Sequence, residues 1–478
     1  MKKTLLIALS SLVLATGGCV DNLKEYNIDV KNPSQVPGIS LVANAQRTLA
    51  RTVTSTNVNL NPFRLYSQYW TETTYTDESN YDIKTRQIDR SFWDALYAAL
   101  GNLNEAKRLI PNDKFSSAKV IANQQACTEI MAVYAWSVLV NTYGNVPYTE
   151  ALDFTKTQPK YDDAKTIYNS LFTRLDAAIA ALDPSAEGLG SNDIIYNGDV
   201  ANWKRFGNSL KLRLAMTIAD DDLTKARTLV QQAAPGVFTS LSQQAQANFV
   251  ATPPNTNPLY EDLVQSGRHD FVGTTLFVDT LKGLNDPRLT IFFNPAAASG
   301  TYEGGENGGD NSDYPSYSEA GEKLREPTLP GVLLSYSEVE FLLAEAAARG
   351  FTVTGTVTSH YNAAVTASIL EWGGSAADAS AYLAQRTVAY ATAPGTTYRE
   401  KIGFQKWISL YDQPVMGWTE WRRLDTPRLV APAGAKSDIP LRLTYPTPES
   451  NLNTANYQAA SSAIGGDKVS SKLFWDKF

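Results

Sequence analysis

Apolar residues recur at three- and four-residue steps in two long blocks of this chain, and that period restricts it to a mainly α fold. In the first block, Phe92, Leu96, Ala99, Leu103 and Ala106 mark one helix that begins near Ser91. Residues 117–142 mark a second, closed by Tyr143-Gly144, where glycine suits a helix stop. Residues 163–182, 200–219 and 222–234 carry three more; Trp203, Phe206, Leu210 and Leu214 line one face of the 200–219 helix. The second block resumes with 336–349 and 357–372, then helices near 376–391 and 399–411, the last bearing Phe404, Trp407 and Tyr411. Ala344, Ala346, Ala347 and Ala348 let a neighbouring helix approach closely. Such pairs suggest tetratricopeptide-like units, degenerate because no strict period of about 34 residues is visible.

Between the blocks, about residues 236–332 form an irregular excursion with Pro253, Pro254, Pro287, Pro315 and Pro330 and a glycine-rich run from Gly300 to Tyr317. Loops this long are usually functional or disordered. Residues 431–478 are a second irregular segment. Few stretches alternate as strands do, so the expected sheets are a few short β-hairpins. The reading is one domain over 39–478, with scaffold at about 39–235 and 333–430.

Lys2 and Lys3 precede an apolar run of about a dozen residues, 4–15, where a membrane span needs about 20. Thr16, Gly17 and Gly18 then lead to Cys19. This predicts a lipoprotein signal peptide over 1–18, acylation of Cys19 and a polar lipidated tether over 19–38. Thr16 stands where such sites usually carry leucine. Loss of Lys2 and Lys3 takes the net charge from -7 to -9, which argues against nucleic acid as a partner. Cys127 is left as the only thiol, and its helical setting predicts a buried structural role. Two Cys and two His provide no zinc pattern, and no nucleophile elbow, phosphate loop or dinucleotide fingerprint is present, so no cofactor is expected.

Several blocks, taken in order, resemble the SusD/RagB-like outer-membrane lipoproteins of Bacteroidetes-type bacteria. They are WDALYAALGNLNEA from Trp93, YGNVPYTEAL from Tyr143, NWKRFGNSLKLRLAM from Asn202, SYSEVEFLLAEAAARG from Ser335, QKWISLYDQ from Gln405 and TEWRRLDTPRL from Thr419. The resemblance covers essentially the whole mature chain. It implies a SusD-like helical scaffold with an irregular ligand surface. It also implies an outer-membrane position facing the cell exterior and a SusC-like TonB-dependent barrel as partner. The function implied is capture of a glycan or oligopeptide for that transporter, without catalysis. The competing readings are a surface glycan hydrolase and a non-transport scaffold or adhesion lipoprotein.

Residues 66–90 are dense in Tyr, Trp, Asn, Asp and Arg. Aromatic faces cover the apolar side of a ring while polar groups satisfy hydroxyls or carbonyls. Trp70, Tyr75, Asp77, Asn80, Tyr81 and Arg86 are therefore candidate ligand residues. The excursion adds Tyr260, His269, Tyr302, Tyr314 and Tyr317, beside Asp270 and Phe271. Glu303, Glu306, Asp310 and Asp313 lack calcium-loop spacing and read as a solvated loop. Glu338, Glu340, Glu345, Glu420, Arg422 and Arg423 read as structural charges, and Trp203 and Trp407 as core.

Overall fold

The computed structural model describes residues 36–478. The signal peptide, Cys19 and most of the tether lie outside the described residues. The periodic segments form helices at Ile88–Leu109, Ala118–Tyr143, Ala164–Ala181, Val200–Thr217 and Leu223–Ala233, then Tyr336–Ala348, Val357–Glu371, Ala376–Leu383, Tyr398–Ser409 and Pro414–Leu424. A further helix, Gly38–Thr54, opens the scaffold. Many starts are fixed by a side-chain oxygen that accepts a backbone N–H of the first turn, as at Ser117, Asp163, Asp199, Asp222, Ser335, Thr356 and Thr397. Each such cap is worth about 1 kcal/mol. The Ala118–Tyr143 helix ends at Gly144 with φ 82°, a conformation that favours glycine.

Successive helices pack on one another from Gly38–Thr54 through Leu223–Ala233, and Tyr336–Ala348 packs on Val357–Glu371. The two helical blocks are tied by Arg213, whose guanidinium donates to both carboxylate oxygens of Glu338 at 2.7 and 2.6 Å in the core. Arg423 bridges Glu345 and Glu420, and Lys406 donates to Glu420 at 2.7 Å. These acids hold helices together, as the sequence suggests, and Arg288 pairs locally with Asp286 at 2.6 Å. Trp203, Trp407 and Cys127 are buried. Trp203 Nε1 donates to Asp193 at 2.6 Å, and Asp193 accepts from Gln46 at 3.0 Å, joining the first helix to Val200–Thr217.

Sheet content is low but differs from expectation. Of the three two-stranded sheets among the described residues, only Val146–Pro147 with Tyr161–Asp162 joins neighbouring parts of the chain. Ala245–Ala247 pairs with Gly331–Leu334, and Trp70–Glu72 pairs with Phe271–Gly273, both antiparallel and both between distant segments. Strands of three or four residues are too short to show alternation, so their partners are invisible in sequence. The C-terminal segment is also less irregular than expected: Thr447–Leu452 and Thr454–Ala463 are helical. Their sequences are mostly polar or small, which hides the period. Among the described residues no helix is long and apolar enough to cross a membrane.

Candidate functional site

The loop after the short helix Phe63–Tyr66 is anchored from below. Arg64 donates to the Tyr411 carbonyl at 2.6 Å and to Asp412 at 2.7 Å, with its guanidinium 4.9 Å from the Trp70 ring centroid. Tyr69 donates to the Trp407 carbonyl at 2.6 Å, and Trp407 Nε1 donates to the Ser67 carbonyl at 2.9 Å. Trp70 Nε1 donates to the Tyr411 hydroxyl at 2.7 Å. These buried bonds fix where the chain emerges as Trp70–Glu72 and meets Phe271–Gly273. Thr73 N–H extends the ladder to the Asp270 carbonyl at 2.9 Å.

Beyond the ladder the loop folds back on itself. Ser79 donates through N–H and Oγ to Glu72 Oε2 at 2.8 and 2.9 Å. Asn80 donates to the Gly308 carbonyl at 2.9 Å, and its own carbonyl accepts Lys436 N–H at 2.8 Å. Arg86 Nε lies 2.6 Å from Glu78 Oε1. At the tip, Tyr75 is 69% exposed and held at φ 55°. A non-glycine residue in that left-handed region costs about 1–2 kcal/mol. Strain of this kind, on an exposed aromatic ring, is a pointer to function.

The loop and the excursion enclose a cleft of about 460 Å³. The loop contributes Tyr75, Arg86 and the buried Glu72, the excursion Asp262, Arg268 and Asp270, and the turn after the first helix Asn57. Burial, followed by the nearby Glu78 charge, pushes Glu72 up to about 9. Burial also raises Glu78, against the pull of Arg86. The carboxyl pair therefore retains a proton at neutral pH. Burial, then Glu261, pushes Asp262 up to about 6. Arg268 donates to Asp270 Oδ1 at 2.9 Å, and this pairing raises it. The cleft thus offers guanidinium donors, carboxylate acceptors, a protonated acid and two aromatic rings, Tyr75 exposed and Phe271 buried, a set that matches hydroxyls and amides better than a fixed charge.

Of the residues singled out in sequence, the cleft takes Tyr75, Arg86, Asp270 and Phe271. Trp70 and Tyr81 are corrected to core: Trp70 is 1% exposed, and Tyr81 packs edge-on against Tyr66 with centroids 5.5 Å apart. Asn80 is likewise buried as a loop clasp and offers no free face. Asp77 is exposed but outside the cleft lining. His269 is exposed and its ring rests on Tyr314, centroids 4.4 Å apart, while the Tyr314 hydroxyl donates to Glu319. Tyr260, Tyr302 and Tyr317 are half-buried and stand outside the lining. Asn57, Glu72, Asp262 and Arg268 escaped the sequence reading. Arg268 alone had a visible signal, its place beside His269 and Asp270. Among the described residues no group of three His, Cys, Asp or Glu side chains is gathered as a metal ion would need.

A mainly helical scaffold with a few short strands and long irregular loops is the fold of a SusD-like protein. A SusD-like family model, described as starch-binding and associating with the outer membrane, matches residues 30–446, and the chain belongs to that family. Among solved structures, a chitin-binding protein is 27% identical over 92% of this chain and 100% of its own, with a TM-score of 0.79. A SusD-like protein from Bacteroides thetaiotaomicron is 25% identical over 92% and 99%, TM-score 0.78. A chitin-binding SusD homologue from Flavobacterium johnsoniae shares the fold at 23% identity over 92% and 98%, TM-score 0.78. No curated protein matches the chain.

Proposed function

We propose that this protein is a surface lipoprotein that binds a glycan in the cleft between Tyr75 and Arg268 and passes it to a TonB-dependent outer-membrane barrel. The observation that carries the reading is the cleft itself, where the exposed Tyr75 ring, on a left-handed backbone, shares the lining with paired Arg268–Asp270 and the buried acid Glu72. A sugar ring presents an apolar face with hydroxyls at its rim, and such a mixture satisfies both. The family's description and the 27% identical chitin-binding relative favour a glycan over an oligopeptide. Acylation at Cys19 supplies the anchor in this reading, and the role is binding without catalysis.

Calorimetry with chitin and starch oligosaccharides tests the ligand class. Binding of one series, lost in Tyr75→Ala with Arg268→Ala, supports the reading; binding of oligopeptides alone refutes it. Co-purification with a TonB-dependent barrel tests delivery. Cys19→Ala should release the protein from washed membranes without unfolding it, and its retention there would contradict the anchor.

A further inference from the structure

A second cavity, of about 350 Å³, shares no lining residue with the cleft. One wall is the ladder of Ala245–Ala247 with Gly331–Leu334, which contributes Gln246 and Val332. The opposite wall is the end of helix Val357–Glu371, and the turn at Asp412 and Gln413 closes the floor. Pockets of about 300–1,000 Å³ with a few convergent polar groups are the size that small ligands use.

The charges in this cavity are arranged around a gap. Lys323 Nζ donates to the Glu371 backbone carbonyl at 2.7 Å, yet it forms no ion pair with any carboxylate among the described residues. Burial holds its ammonium below the usual lysine range, although Glu371, Glu326 and Asp412 are all close enough to act on it in the other direction. Glu371 Oε1 accepts from Gln244 at 2.9 Å, while its Oε2 makes no hydrogen bond among the described residues. Burial, then Asp412, pushes Glu371 up to about 7. Asp412 is already engaged by Arg64 at 2.7 Å. One ammonium and one carboxyl thus face the same space without touching, each short of a counter-charge.

We propose that this cavity binds a free apolar α-amino acid, its carboxylate on Lys323 and its ammonium on Glu371. A zwitterion fills such a gap without adding net charge, and both half-buried groups gain an opposite charge within the cavity. Leu329, Pro330 and Val332 provide an aliphatic surface for the side chain. A sugar fits less well. Trp372, the only aromatic residue in the lining, is buried, and Lys323 lies over its ring 5.4 Å from the centroid, so no open face remains for stacking.

Calorimetry on the full-length protein with L-leucine, N-acetyl-L-leucinamide and N-acetylglucosamine tests this. Leucine should bind, and the capped amide, which lacks both charges, should bind at least tenfold more weakly. Lys323→Met keeps the aliphatic stem over Trp372 and should weaken leucine at least tenfold, with only a small drop in melting temperature from the lost bond to the Glu371 carbonyl. Tyr75→Ala should leave leucine binding unchanged. Should Lys323→Met fail to fold, Glu371→Gln and the contrast between leucine and its capped amide decide the matter. No leucine binding, equal binding of the capped amide, preference for N-acetylglucosamine, or unchanged affinity in a folded Lys323→Met protein would each overturn the proposal.

Discussion

Glu72 stands directly opposite Phe271 in the antiparallel ladder that joins the loop after Tyr66 to the excursion. That register brings together two segments nearly two hundred positions apart and makes one cleft of what sequence presents as two surfaces. Everything placed around the cleft depends on it, because Thr73 and Asp270 continue the same ladder to the rim.

Tyr75→Ala should weaken glycan binding about tenfold or more, a loss of at least roughly 1.4 kcal/mol. Its effect on stability should be small, since the ring is exposed and the left-handed backbone is costly for either side chain. Tyr75→Gly should raise the melting temperature slightly by removing that strain. Calorimetry and thermal melts on the two variants separate these effects.

Trp203→Ala and Trp407→Ala should each cost about 3–5 kcal/mol, because both rings are buried; the first also removes one of several donors to Asp193, and the second leaves the Ser67 carbonyl without its donor. Denaturant titration reads the loss. Trp407→Ala should also loosen the cleft, since the indole holds the Ser67 carbonyl and stacks on the Tyr69 ring with centroids 5.5 Å apart.

Both tryptophans were legible in sequence, as were the helical blocks, the buried Cys127 and the structural charges at Glu338, Glu345 and Arg423. Helical period and an order of blocks are local properties, and one chain displays them. The cleft was legible only in part. Tyr75 and Arg86 lie in a segment whose composition draws notice, but composition does not tell Tyr75 from Tyr81. That distinction depends on contacts with Tyr66 and Gln68, across the fold of the loop. Glu72 went unseen because its burial appears only when the loop folds back to set Ser79 and Glu78 beside it, and Asp262 because its place beside the Thr56 backbone joins segments about two hundred positions apart.

Stability should fall as pH rises between about 5 and 9, in part through Glu72. Its folded value of about 9 lies above the ordinary carboxylate range, so across this window the folded state keeps a proton that the unfolded state has released. The sign is therefore negative, and the contribution levels off above about 9. Glu420 behaves in the opposite way: burial opposes its ionisation, but Arg423 and Lys406 hold it down at about 2, so its stabilisation is lost as pH falls below the ordinary value toward 2. Denaturation of Glu72→Gln against wild type at pH 5, 7 and 9 should show the variant gaining relative stability with rising pH. A constant difference would mean that Glu72 ionises normally.

Glycan affinity should change little between low and high salt, because contacts with a neutral sugar are not screened, whereas exposed ion pairs are damped over about 8–10 Å at 0.1–0.15 M. A calorimetric salt series checks this, and a steep decline would make Arg268 or Arg86 an ion-pairing contact to an acidic glycan.

The central claim is that the cleft joined by Glu72 and Phe271 is where a glycan binds. Its most direct test is calorimetric titration of wild-type protein and the Tyr75→Ala, Arg268→Ala double variant with chitin and starch oligosaccharides. The account predicts measurable binding of one series by the wild type and a loss of tenfold or more in a variant that melts at the wild-type temperature. Equal affinity in the two proteins would contradict it.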